Sequence, residues 1–125
     1  VPHDLTPENV ATAPGADQRV VLVYATFPDA AVAGRIGGEI VEAGLAACVN
    51  VFPEIRSIYR WQGAIQRDGE AAALIKTRRA LVPRVVGWLL VAHPYVAPAA
   101  VVLSVSGGSP AFLDWIVAQT SDPQP

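Results

Sequence analysis

LAACVNVFPEIRSIYRWQGAIQRDGEAAALIKTR, from Leu45 to Arg78, decides how the chain folds. Ile55, Ser57, Tyr59 and Trp61 alternate with Arg56, Ile58 and Arg60, a period of two that reads as a β-strand. The chain reverses at Gln62-Gly63. The return leg runs from Ala64 to Thr77, with a bulge or break expected at Asp68-Gly69. A strand of about a dozen residues spans roughly 40 Å, whereas a compact chain of this length has a radius of gyration of about 14 Å. The hairpin therefore outruns its own domain and has to project as an arm. Ile58, Tyr59 and Trp61 on that arm are the expected subunit-interface residues.

On the N-terminal side of the hairpin, Val20 to Thr26 (VVLVYAT) is a short β-branched and aromatic run, the pattern of a buried strand. Asp29 is placed to cap a helix. Ala33, Ile36, Gly37, Ile40 and Val41 then form its apolar stripe, and Gly44 stands at the C′ position. Gly37 lies on the stripe, where a missing side chain allows close approach to a sheet. Leu45 to Phe52 reads as a second strand ended by Pro53, ahead of the hairpin's own first strand. Beyond the hairpin, Arg79 to Ala92 is a second helix with Pro83 in its first turn. Leu81, Val85, Val86, Leu89 and Leu90 form its inner face, with Trp88 at the rim. His93-Pro94-Tyr95 closes it. Ala99 to Ser106 is another strand. Gly107-Gly108 turns the chain, Ser109 caps a final helix starting at Pro110, and Phe112, Leu113, Ile116 and Val117 are its apolar positions.

The order is β-α-β-β-α-β plus a C-terminal helix, an α+β chain. It predicts a ferredoxin-like antiparallel sheet with an extended central hairpin and both crossover helices on one face. Val21, Val23, Ala47, Val49, Ala73 and Ile75 are assigned to the face without helices. An antiparallel sheet with one wet face alternates apolar with polar residues. Neither face does so here, and the second is expected to pack on other subunits. A single domain over residues 20–120 is expected, between a Pro- and Ala-rich tail at 1–19 and a short tail at 121–125.

Composition narrows the function classes. Of 125 residues, 52% are hydrophobic and 16% charged, and the net charge is −2. Lys76 is the single lysine and the arginines are dispersed, which disfavours nucleic acid. The lone cysteine, Cys48, leaves no intrachain disulfide and points to a reducing compartment, the cytoplasm. Neither an apolar run long enough for a membrane span nor a secretory leader pattern is evident. No acid–base pair, nucleophile–base pair or phosphate loop stands out, so an enzyme is not expected.

LAACVN, SIYRWQG, LIKTR, HPY followed by Pro98, and FLDWI, in this order and spacing, resemble the CutA divalent-cation tolerance family. The resemblance runs from about Val20 to Ala118. It implies a ferredoxin-like fold assembled as a homotrimer, related in shape to the PII signalling proteins. It further implies an association with tolerance to copper and other divalent cations, with no required cofactor. The family's copper-binding pattern uses a Cys at the end of the first strand and a His-His pair before Pro-Tyr. Those places hold Ala25, Ala92 and His93, and the position after Tyr95, often Glu in the family, is Val96.

The candidate metal ligands are therefore His93 and Cys48, for copper or another divalent metal. A free buried Cys in the middle of an apolar strand is more often a small hydrophobe, and a helix-end His more often bonds nearby carbonyls. Tyr59, Trp61, Lys76 and Tyr95 are the candidate lining of an inter-subunit cleft for a small anion or metabolite, as a PII-like sensor would have. An interaction scaffold is the remaining alternative.

Overall fold

A computed structural model describes residues 20–95 and 98–121. The expected tail at 1–19, and the C-terminal tail beyond Ser121, lie outside the described residues. The elements are β1 (Val20–Phe27), α1 (Ala30–Glu42), β2 (Cys48–Trp61), β3 (Ala64–Arg78), α2 (Val82–Ala92), β4 (Ala100–Ser104) and α3 (Pro110–Thr120). The four strands form one antiparallel sheet in the order β2-β3-β1-β4. This is the ferredoxin-like arrangement expected from the order of elements.

Local chemistry explains the element ends. The Val32 N–H donates to Asp29 Oδ1 at 2.9 Å, satisfying an orphan donor of the first turn of α1. Gly44, at φ +75°, turns the chain out of the helix. A Cβ on Gly37 would meet Val49 Cγ1 at 3.0 Å, so glycine there lets α1 settle onto β2. Gln62 and Gly63 have φ of 49° and 80°, the two left-handed residues of a two-residue hairpin loop of the I′ class. Pro83 falls in the first turn of α2, where its missing N–H costs no helical bond.

Several expectations are corrected. The segment expected as two strands broken at Pro53 is one strand, β2, and it begins at Cys48 rather than Leu45. The bulge lies in β2 between Phe52 and Ile55, not at Asp68-Gly69, which pair in register with Ser57 and Arg56. Pro53 sits inside that bulge, where a residue without an N–H leaves no ladder bond unmade. A 3₁₀ turn at Arg79–Leu81 precedes α2, so the α-helix itself starts at Val82. Val41 and Leu90, expected on inner faces, are 39% and 59% exposed, at the edges of their stripes. Phe112 is exposed as well, stacked on Trp115 with ring centroids 5.8 Å apart. The Ser109 side chain makes no capping bond.

The largest correction concerns the two faces. Val23, Val49, Ala73 and Ile75 belong to the core beneath α1 and α2, together with Ala33, Ile36, Ile40, Leu81, Val85 and Leu89. Val21 shares their parity on β1 and is likewise fully buried. The face without these helices carries Leu22, Tyr24 and Thr26 of β1, opposite Lys76, Leu74 and Ala72 of β3. Those in turn face Cys48, Asn50 and Phe52 of β2, while Leu103 and Val101 of β4 complete the row. Among the described residues, only one corner of this second face is covered. There α3 packs Leu113 and Ile116 on Val20, with Ala47 at the edge. The Arg78 guanidinium ties the corner down by donating to the Thr120 carbonyl at 3.0 and 3.3 Å.

Candidate functional site

The sheet body ends where Phe27 pairs with Ala71. Beyond that point β2 and β3 continue alone as the arm, from Ile55↔Glu70 to Trp61↔Ala64. The bulge changes the parity of β2. In the body its even residues Cys48, Asn50 and Phe52 point to the open face. In the arm its odd residues Ile55, Ser57, Tyr59 and Trp61 do so, opposite Glu70, Asp68, Gln66 and Ala64. The open face thus continues without interruption from the body onto the arm.

At the junction lies a cleft of about 790 Å³ lined by Thr26, Ser57, Ile58, Tyr59, Trp61, Glu70, Tyr95 and Ala99. Two tyrosine–carboxylate pairs frame it. The Tyr59 hydroxyl donates to Asp68 Oδ2, and the Tyr95 hydroxyl donates to Glu70 Oε2 at 3.1 Å. The hydrogen bond to Asp68, whose negative charge favours the neutral phenol, pushes Tyr59 up to about 12. Tyr95 is raised too, by partial burial and then by its bond to Glu70. Trp61 stands 60% exposed at the mouth. The cleft is therefore acidic and aromatic.

His93 anchors the floor. A carbonyl only accepts, so the 2.6 Å contact between His93 Nε2 and the Thr26 carbonyl places the ring proton on Nε2. Nδ1 then accepts from the Tyr95 N–H at 3.1 Å. The ring stacks on Phe27 at 4.9 Å and tilts against Tyr95 at 4.8 Å. At 6% exposure, with both nitrogens bonded, His93 clamps the segment after α2 to the end of β1 and thereby sets Tyr95 over Glu70.

The structure brings together Tyr59, Trp61 and Tyr95 of the expected cleft residues, and it sets Lys76 apart. Six residues of β3, about 20 Å of extended chain, separate Lys76 from Glu70. Its ammonium lies 5.1 Å from the centroid of the Phe112 ring. Cys48, half-buried with a free thiol, pairs with Lys76 on the open face. Thr26, where His93 is bonded, is four residues along β1 from Leu22, the residue that faces Lys76. The two candidate metal ligands are therefore at different ends of the sheet. Among the described residues no three His, Cys, Asp or Glu side chains converge as a metal ion would require. The donor set among the described residues of one copy does not fit a metal centre. Ile58, 66% exposed, has the parity of the reverse side of the arm and also borders the cleft.

Asp68, Glu70, Ser57 and Thr26 went unrecognised in the sequence as lining or framing residues. A signal for the first three was present. Counting outward from a two-residue turn at Gln62-Gly63 puts Asp68 opposite Ser57 and Glu70 near Ile55, on the side of Tyr59.

Comparison with known proteins agrees with this geometry. The family model of the CutA1 divalent ion tolerance protein matches residues 21–119. Protein CutA of Mus musculus is 40% identical over 97 residues, covering 78% of this chain and 55% of that protein, so the chain spans about half the length of this relative. The divalent-cation tolerance protein CutA of Thermus thermophilus is 40% identical over 103 residues, covering 82% of this chain and 98% of the relative. The structure of CutA from Synechococcus elongatus superposes with a TM-score of 0.81 at 36% identity, over 94% of this chain and 99% of that one. A match along nearly all of the sheet, the arm and the helices leaves one conclusion: the chain belongs to the CutA1 divalent ion tolerance protein family.

Proposed function

We propose that this chain serves divalent-cation tolerance, copper foremost, as a cytoplasmic homotrimer without catalytic chemistry of its own. The observation that carries the reading is the open sheet face and its continuation on the arm. Phe52, Tyr59, Trp61, Val101 and Leu103 are each between 41% and 60% exposed on one continuous surface. Contiguous apolar area of that kind on a small domain is the mark of an interface. Metal contact is weak in this reading and runs through donors of more than one copy. Cys48 lies on the face that the copies share, and its thiolate suits a soft ion such as copper(I). His93 can offer a metal only Nδ1, by giving up the Tyr95 N–H.

The test is a solution mass measurement followed by copper titration of the wild type, Cys48→Ser and His93→Ala. A mass of three copies and weak binding that Cys48→Ser abolishes are expected. A single-copy mass sinks the trimer, and equal affinity in all three proteins removes both donors.

The second reading, a sensor with a small molecule in the cleft, is favoured by the cleft's size alone. With Glu70 in its lining and Lys76 far away, a small anion finds no cation there among the described residues. A thermal-shift screen over metabolites checks this reading, because a ligand at 100 times its dissociation constant adds about 2.7 kcal/mol.

A further inference from the structure

The cleft at the foot of the arm has a chemistry of its own. Asp68 and Glu70 are two residues apart on β3 and share a face, separated by about 7 Å of strand. Each accepts a phenolic hydrogen bond, Asp68 from Tyr59 and Glu70 from Tyr95. Those bonds hold two aromatic rings beside two negative charges. Among the described residues the one ion pair is Arg35 with Glu39, within α1, so neither carboxylate has a cation of its own there. Arg56, Arg60 and Arg67 of the arm have the parity of its reverse side, and none of them is in the described lining. Ile58, Trp61 and Ala99 add apolar wall. At about 790 Å³ the space is in the range of small-molecule sites, about 300–1,000 Å³.

We propose that this cleft binds an organic amine in its protonated form, an ammonium group carried on an apolar body. The ammonium donates to Glu70 and Asp68. A carboxylate has about four lone-pair sites and a phenol takes one of them, so acceptors remain on both. The rings of Tyr59, Tyr95 and Trp61 attract the same positive charge through their faces. The carbon body lies against the indole, Ile58 and Ala99. Other ligand classes fit less well. An anion meets two like charges. A hard metal ion asks for about six oxygen ligands, and among the described residues no three metal-ligating side chains converge. A quaternary ammonium suits the rings but has no N–H for the carboxylates. The inference rests on the second reading above, a small molecule in the cleft, and adds the class of molecule that the cleft takes.

The experiment is calorimetric titration of the full-length protein, in the oligomeric state it holds in solution. The probes are phenethylamine, 3-phenylpropanoate and 2-phenylethanol: a cation, an anion and a neutral molecule built on one phenylethyl group. The amine is expected to bind about tenfold or more tightly than either of the others. Glu70→Gln and Asp68→Asn, which remove charge while keeping size, are each expected to weaken the amine by about tenfold. The comparison among probes on the wild type stands even if a variant misfolds. Equal binding of the three probes overturns the amine assignment and leaves the small-molecule reading in place. Amine binding that neither variant alters also overturns it, since the amine is then held elsewhere. If no probe binds, the amine assignment falls, and the thermal-shift screen over metabolites decides the wider reading. A stabilising anion or neutral compound keeps that reading, and a flat screen ends it as well.

Discussion

At the scale of single residues, His93 is where position in the sequence and role in the structure part company. A histidine after a helix and before a proline reads as an available ligand. In the fold both its nitrogens are spent on backbone groups, and its ring fills the space between Phe27 and Tyr95. His93→Ala removes two hydrogen bonds and a stacked ring from a buried position, and is expected to cost about 2–4 kcal/mol in a urea or thermal melt. The tyrosines give a pH prediction. The native state holds the Tyr59 proton up to about 12, against 10.0 for a free phenol. The folded protein therefore binds a proton that the unfolded chain has released, and stability present below the lower value falls as pH rises towards the higher one. Ultraviolet absorbance titration of phenolate formation should show Asp68→Asn bringing one tyrosine back towards its ordinary value. An unchanged titration curve would mean that the Tyr59–Asp68 bond is absent in solution.

At the scale of elements, the three glycines of α1 are physically different sites. Gly34 and Gly38 have open space where a Cβ would go. Replacing either by Ala should stabilise the fold by up to about 1 kcal/mol through helix propensity. Gly37→Ala should gain nothing or lose stability, because the same methyl meets Val49 at 3.0 Å. Equilibrium unfolding of the three single variants checks the contrast. This difference between glycines was partly legible: the apolar stripe put Gly37 on the inner face. So were β1, the helices and the turn, because each carries a local signal in its period, cap or left-handed residue pair. The assignment of the sheet's faces was not legible. A strand such as VVLVYAT is apolar at both parities, so its alternation has no readable phase. The partner that breaks the tie, a helix, is specified elsewhere in the chain. The bulge was misplaced for a related reason. Asp68-Gly69 has turn-like composition, but the extra residue went to Pro53, which cannot join a ladder.

At the scale of the whole molecule, the mouth of the cleft should govern association more than folding. Trp61 is 60% exposed at the tip of a two-stranded ribbon, where truncation removes little from a lone copy. Aromatic anchors at interfaces commonly lose about 2 kcal/mol or more when cut to Ala. Trp61→Ala is therefore expected to shift the mass distribution towards single copies on dilution while leaving the far-ultraviolet circular dichroism unchanged. An undiminished assembly would place the interface elsewhere on the open face. The bulge at Phe52–Ile55 has a consequence at this scale. The two-residue loop fixes the pairing of the arm from its tip, and the body fixes the pairing of β2 from its base, one residue out of step. Were the extra residue ironed out, the register of the body would run on into the arm: Arg56 would slide opposite Asp68, Glu54 opposite Glu70, and the odd residues of β2 would leave the open face. A slipped hairpin of that kind would carry Tyr59 and Trp61 to the opposite side from Asp68 and Glu70, and the cleft would lose both rings of the arm. One unpaired residue in the middle of a strand thus decides which side chains the arm shows to the cleft.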